Sequence, residues 1–393
     1  MRSFVSLLVL AACVLLGAKQ VLHLLDDPSI LPPDDFVEYW AAGKLNLAGR
    51  DPYLPENLLP IQRDGTARRE ADGSPLDKAV VMWNPPWTLT FVMPLGALEA
   101  RPAQLLWLIL TLCVTIFASD RIWIHYGGAP SVRWISWLLA LAWLPSLFNL
   151  HAGQISALVL LGLVGFLHFR RAGRLAAAGA CGVLLAIKPH LVYLFWLWLL
   201  RTEVRRGTKI LVGGAVAGIA CTLIPAIYNP DVLAHYRDAA TNRPPEEWIS
   251  PTWGTVLRMI FGEDRFGLQF VPIAFGVLWM LLLPRLPKST ASVEWDRRMP
   301  LLVLISVAFA SYGAWPFDLV ILLLPIVSLA ARLSRRPTEW RRIGLVAFAA
   351  IDLGMLALNV GGVRSFWFIW VAPAVLLAYL RLESRLPREV SDG

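Results

Sequence analysis

Gln104-Leu105-Leu106-Trp107-Leu108-Ile109-Leu110-Thr111-Leu112-Cys113-Val114-Thr115-Ile116-Phe117-Ala118-Ser119-Asp120-Arg121 holds no charge before Asp120. A helix over these residues is about 27 Å long at 1.5 Å per residue, close to the ~30 Å hydrocarbon core of a bilayer. It lacks the polar face that a surface helix of a soluble domain presents. The stretch therefore reads as a membrane span closed by a charged end.

The rest of the chain agrees. Its 393 residues are 57% apolar and 16% charged, against about 25% charged in soluble domains. Mean hydropathy is +0.58. The 18 Trp suit a lipid–water boundary. A net charge of +8 would suggest nucleic acid in a soluble chain. Here the basic residues lie in short loops between apolar runs, so they orient the chain, and no nucleic-acid partner is expected. Cys13, Cys113, Cys181 and Cys221 stand far apart inside apolar runs and read as small packing residues, not disulfides or zinc ligands.

The apolar runs are 4–25, 104–120, 134–149, 155–169, 175–187, 190–200, 210–227, 267–284, 299–312, 317–331, 343–359 and 365–380. The first is too long for a typical signal-peptide core and reads as an uncleaved span. The expected fold is all-α: a polytopic membrane protein with about twelve transmembrane helices (roughly 10–13), forming one integral membrane domain over 1–393. With the N-terminus inside, the inner loops collect Arg121 and Arg133; Arg170, Arg171 and Arg174; Arg332, Arg335, Arg336, Arg341 and Arg342. That arrangement follows the positive-inside rule and puts both termini in the cytoplasm. It also requires Trp87–Leu98, broken by Pro94, to be an interfacial or re-entrant helix, and Lys188-Pro189-His190 to be an outer hairpin tip. Two outer segments are long: 26–103, with interfacial helices, and 228–266. No nucleotide-binding glycine motif occurs.

This topology gathers unusual polar residues on the outer side: Asp34, Asp35, Glu38 and Tyr39; Trp83, Asn84 and Trp87; His151 and Gln154; Lys188 and His190; Arg243 to Trp253; Trp315 and Asp318; and Arg364. Each has an ordinary reading. Lys188 can snorkel, the tryptophans can form an aromatic belt, and Asp318 can cap the helix after it. Asp35 with Glu38 fits a capping-box-like pattern. The alternative for the aspartate pair is chemical. A bare carboxylate beside hydrocarbon is costly, and one at the water boundary can serve as a general base.

Several segments resemble glycosyltransferase family 87, the polyprenol-phosphate-mannose-dependent enzymes within the C-type membrane glycosyltransferase superfamily. They are Asp35-Phe36-Val37-Glu38-Tyr39-Trp40-Ala41-Ala42, Leu47-Ala48-Gly49-Arg50-Asp51-Pro52-Tyr53, Asn84-Pro85-Pro86-Trp87, Gly153-Gln154, Leu185-Ala186-Ile187-Lys188-Pro189 and Trp315-Pro316-Phe317-Asp318, covering about 35–325. The resemblance implies transfer of a hexose, usually mannose, from a polyprenyl-phosphate donor to a lipid or glycan acceptor by an inverting single displacement. It places the catalytic base at Asp35, with Asp34 as rival, and a donor-phosphate contact at Lys188. Arg364 is a second phosphate candidate on topology alone. The remaining outer residues (Glu38, Tyr39, Trp83, Asn84, Trp87, His151, Gln154, His190, Trp253, Trp315 and Asp318) are candidates to line the sugar and acceptor. The chain has Asn84 where many relatives carry an aromatic before the double proline.

The implied partners are the lipid-linked sugar, the acceptor and membrane lipids. No cofactor is implied beyond the donor as co-substrate, and no spacing demands a metal. The expected place is the cell (inner or plasma) membrane, with the active site extracytoplasmic. Two other classes, a lipid-linked-sugar flippase and a polysaccharide polymerase or ligase, would share the large outer loops. A flippase needs polar residues through the membrane depth, and those are scarce here.

Overall fold

The computed structural model describes residues 33–66, 69–70, 73–203, 208–243, 249–283 and 291–386. The run 4–25 lies outside the described residues. Within them the chain is helical, with a single isolated bridge between Arg69 and Pro75 and no strand. Among the described residues four helices are long and apolar enough to cross a membrane: Ala100–His125, Thr208–Tyr228, Thr338–Val360 and Ser365–Glu383. A fifth candidate is the pair Pro130–Ala142 and Leu144–Ala152, bent by 54°. The apolar runs at 175–187 and 190–200 fold as short pieces, Leu175–Ala180, Gly182–Leu185 and Tyr193–Glu203. The break before Tyr193 falls at Lys188-Pro189, where proline removes a backbone donor.

The bend between Trp134–Ala142 and Leu144–Ala152 frees backbone groups that lipid cannot satisfy. Asp352 supplies one partner: its Oδ1 accepts the Leu144 N–H at 2.8 Å. Trp143, at the bend, donates its indole N–H to the Leu319 carbonyl at 3.0 Å.

The chain divides into two compact units that interleave in sequence. One comprises the described residues of Met1–Leu110, His151–Gly153 and Ile224–Arg243. The other comprises those of Thr111–Leu150, Gln154–Leu223 and Pro244–Gly393.

The first unit is built on the helix Phe36–Leu47. It buries Phe36, Val37, Glu38, Tyr39, Trp40, Ala41, Ala42, Gly43, Leu45 and Asn46, so it is covered on every side. Its closest neighbour is Leu89–Gly96, the central part of the apolar run 87–98. A Cβ on Gly43 would stand 2.8 Å from the Val92 carbonyl oxygen, and one on Gly96 would strike the Lys44 backbone. The two helices thus meet backbone to backbone, which small residues permit. Asn46 donates to the Pro225 carbonyl at 3.1 Å, and Trp40 to the Leu98 carbonyl at 3.0 Å. The run 87–98, expected as an interfacial or re-entrant helix, packs one face on Phe36–Leu47 and leaves Pro94, Ala97 and Leu98 exposed.

In the second unit Ser156–Arg171 packs on Ala291–Ala308 and Leu323–Leu333, and these two pack on Val371–Glu383. At one end, Arg170 pairs with Glu203 at 3.0 Å and His125 with Asp296 at 2.8 Å.

Candidate functional site

In the first unit, Asp34 and Asp35 are half-buried at the head of Phe36–Leu47. Asp35 occupies the N-cap position, yet its carboxylate accepts no capping hydrogen bond. The cause is conformational. Its φ of −64° and ψ of −14° are already helical, whereas a capping residue usually takes extended angles that turn its side chain back. The Glu38 N–H is satisfied instead by the Asp35 backbone carbonyl at 3.0 Å. The Asp35 half of the expected capping box does not form. Glu38 is buried, as is Tyr39, whose ring lies 6.1 Å from Trp107. Trp107 in turn donates to the Gly153 carbonyl at 2.7 Å. Gly153 has φ +68°, and a Cβ there would sit 2.6 Å from the Phe36 Cβ. Only glycine meets both demands.

Ala48-Gly49-Arg50-Asp51-Pro52-Tyr53 forms a latch. The Asp51 carboxylate accepts the Tyr53 N–H at 2.8 Å, and the Arg50 carbonyl accepts from Asn229 at 3.0 Å. Tyr53 donates to the Asn84 carbonyl at 3.3 Å and packs its ring 5.4 Å from Tyr236. Burial, reinforced by Tyr236 and Asp51, raises the Tyr53 phenol well above its ordinary value. Arg243 reaches the Tyr53 carbonyl at 3.4 Å; residues 244–248 lie outside the described residues. Asn84 is buried and Trp83 exposed. Trp87 is half-buried, and its Nε1 is enclosed with no hydrogen-bond partner among the described residues. His151 is exposed.

In the second unit, Lys188, Gln154 and Asp318 meet. Lys188 Nζ donates to Asp318 Oδ1 at 2.7 Å and to Gln154 Oε1 at 2.9 Å, and lies 5.1 Å from the centre of the Phe317 ring. Ser156 donates to the same Asp318 oxygen at 2.6 Å, and the Trp315 N–H to the other at 3.2 Å. Asp318 is 1% exposed and Lys188 8%. Lys188 therefore does not snorkel; its ammonium is committed inside the protein. A buried pair of this kind depends on satisfaction of both charges, and three donors converge on the one carboxylate.

The loop 312–318 carries strain to wrap this pair. Gly313 has φ +74°, and a Cβ on it would lie 2.7 Å from His190 Nε2 and 3.4 Å from Asp318 Oδ2. Ala314 has φ +54°, a conformation that costs an L-residue about 1–2 kcal/mol. His190 faces Tyr312 with ring centres 6.0 Å apart, and Trp315 stacks with Phe317 at 6.5 Å. Trp253 is exposed; its neighbour Thr252 caps the helix Trp253–Phe261 and contacts the Ser311 carbonyl at 3.4 Å. Arg364 is exposed at the turn before residues 365–370.

Ser156, Phe317 and the Gly313-Ala314 turn complete the Lys188 centre and were not among the sequence candidates. Ser156 stands two residues after Gln154, and that spacing is the only signal the sequence offered. Among the described residues no three His, Cys, Asp or Glu side chains group as metal ligands.

Comparison with protein families matches the model for glycosyltransferase family 87 over residues 83–357, which is 275 of 393. Asp34, Asp35, Glu38 and Tyr39 precede the matched residues, and Arg364 follows them. No curated protein and no solved structure matches the chain. A match over so much of an all-helical chain with membrane-crossing helices decides its kind: it belongs to glycosyltransferase family 87 and is a membrane glycosyltransferase.

Proposed function

We propose that the chain transfers a hexose, mannose in the first instance, from a polyprenyl-phosphate donor to a lipid or glycan acceptor at the extracytoplasmic face of the cell membrane. The acceptor hydroxyl oxygen attacks the anomeric carbon as its proton passes to the Asp35 carboxylate. The bond from that carbon to the phosphate oxygen breaks with its electron pair, and polyprenyl phosphate leaves. Configuration inverts in the single step. The leaving group is already an anion, so it needs electrostatic stabilisation more than an acid. An ammonium has three N–H donors. Gln154 and Asp318 hold two of those of Lys188, and the resemblance is what supports its role at the donor phosphate. Arg364, exposed, is the second phosphate candidate on topology alone. The enclosed Trp87 N–H is a donor suited to a sugar hydroxyl.

One observation carries the assignment of the base. Among the acidic candidates, Asp318 is fully buried and committed to Lys188 and Ser156, and Glu38 is buried within its helix. Asp34 and Asp35 are both half-buried at the helix head, and the resemblance selects Asp35 of the two.

The test uses purified protein, radiolabelled polyprenyl-phosphate-mannose and lipid acceptors. Asp35→Asn should abolish transfer while expression and elution profile stay normal, and Asp34→Asn should retain most of it. Full activity in Asp35→Asn removes that residue from the mechanism. Movement of the donor across vesicles without release of polyprenyl phosphate would support the flippase reading instead.

A further inference from the structure

The helix Thr338–Val360 is 23 residues long and fully buries only Met355. Between it and the helices Trp134–Ala142, Leu323–Leu333 and Val371–Glu383 lies a cavity of about 240 Å³. On the long helix its wall runs through Arg341, Gly344, Phe348 and Ile351. Ten residues separate the ends of that stripe, so the cavity extends about 15 Å along the helix axis. Ser334 and Arg341 are its polar members at one end, and Trp143 and Ile351 close the other.

Size and lining decide what fits. A helix is about 10 Å wide along its whole length, whereas this cavity is walled by residues of four helices, among them Leu139, Ala330, Phe348 and Ala378, and is a slot for a single chain. Water is unsuited, because an apolar cavity offers it too few hydrogen-bond partners. A hydrocarbon tail of roughly twelve methylenes, with C–C bonds of about 1.5 Å, spans the same 15 Å. The Arg341 end is strongly basic. Residues 332–342 hold Arg332, Arg335, Arg336, Arg341 and Arg342 against Glu339. Arg332 is engaged by Glu383 and Tyr379, whereas Arg335, Arg341 and Arg342 are exposed. Basic residues at a membrane surface attract anionic headgroups.

We propose that this groove is a binding site for one anionic phospholipid, with an acyl chain along Gly344, Phe348 and Ile351 and its headgroup phosphate at Arg341. The lipid is a resident one that fills the space beside the long helix. The site is independent of the donor and of the residues assigned to transfer.

Native mass spectrometry of the full chain, released from detergent with phosphatidylglycerol or phosphatidylcholine added, reads it directly. Wild type should retain one phosphatidylglycerol in preference to phosphatidylcholine. Arg341→Gln should weaken that retention by about fivefold, the worth of one basic residue near an anionic surface. Ala330→Phe, which fills the groove, should abolish retention; Ala347→Phe provides a second filling if the first does not fold. Equal retention of the two phospholipids overturns the proposal, as does undiminished retention in a folded filling variant. Displacement of the bound phospholipid by polyprenyl phosphate would also overturn it, by assigning the groove to the donor's tail.

Discussion

Lys188→Met would strand the Asp318 carboxylate where only 1% of the residue meets solvent. Removing one partner of a buried ion pair costs about 3–5 kcal/mol. The Ser156 hydroxyl and the Trp315 N–H remain on the carboxylate at 2.6 and 3.2 Å, which favours the lower figure. With an unfolding entropy of about 2.1 cal/mol/K per residue, a chain of 393 residues loses roughly 4–6 °C in apparent unfolding temperature for that cost. The double variant Lys188→Met/Asp318→Leu removes both charges and keeps similar volume. Apolar replacement of a buried pair is often neutral or better, so the double variant should regain most of the loss. Thermal unfolding in detergent, followed by size-exclusion fluorescence, measures both. A single variant as stable as wild type refutes the argument, and so does a double variant no better than the single one. Transfer activity of the stable double variant then separates packing from chemistry. If it transfers mannose normally, Lys188 does not bind the donor phosphate.

Gly153→Ala combines a left-handed backbone with a Cβ 2.6 Å from Phe36. Strain and overpacking together should cost about 2–4 kcal/mol, read as a fall of a few degrees in the same assay. Tyr53→Phe should cost about 1 kcal/mol through the hydrogen bond to the Asn84 carbonyl. Because burial raises the Tyr53 phenol, its neutral form stabilises the fold fully below the ordinary value near 10, and that contribution falls as pH rises past it. Tyr53→Phe should therefore lose stability less steeply than wild type between about pH 10 and 11. An identical alkaline slope in the two proteins would contradict the buried phenol.

The fold class was legible because lipid imposes one requirement on a whole stretch at once, as in Leu105 to Ser119. Breaks were legible only where the cause was local. Pro189 announced the interruption after Lys188. Pro145 marks the bend at Trp143 as well, but nothing local says that the freed Leu144 N–H is met by Asp352, 208 residues away in sequence. The same limit applied to the site. Lys188, Gln154 and Asp318 each stood out as polar residues among apolar ones, but their pairing spans 130 residues and depends on how helices pack. Helical periodicity says which face a residue occupies and nothing about what arrives there. Glu38 and Tyr39 stood out by type and position, but a one-dimensional pattern gave no sign that Phe36–Leu47 would bury almost every side chain it carries.

The contact of Gly43 and Gly96 with opposing backbone has a mechanical meaning. Where main chains touch, no rotamer can turn and no methyl can slide, so the element behind Asp35 has no soft mode. The helix that carries Asp35 is thus seated by main chain against main chain, and an engineer altering this unit should leave the crossing alone and vary the exposed Trp83 and His151.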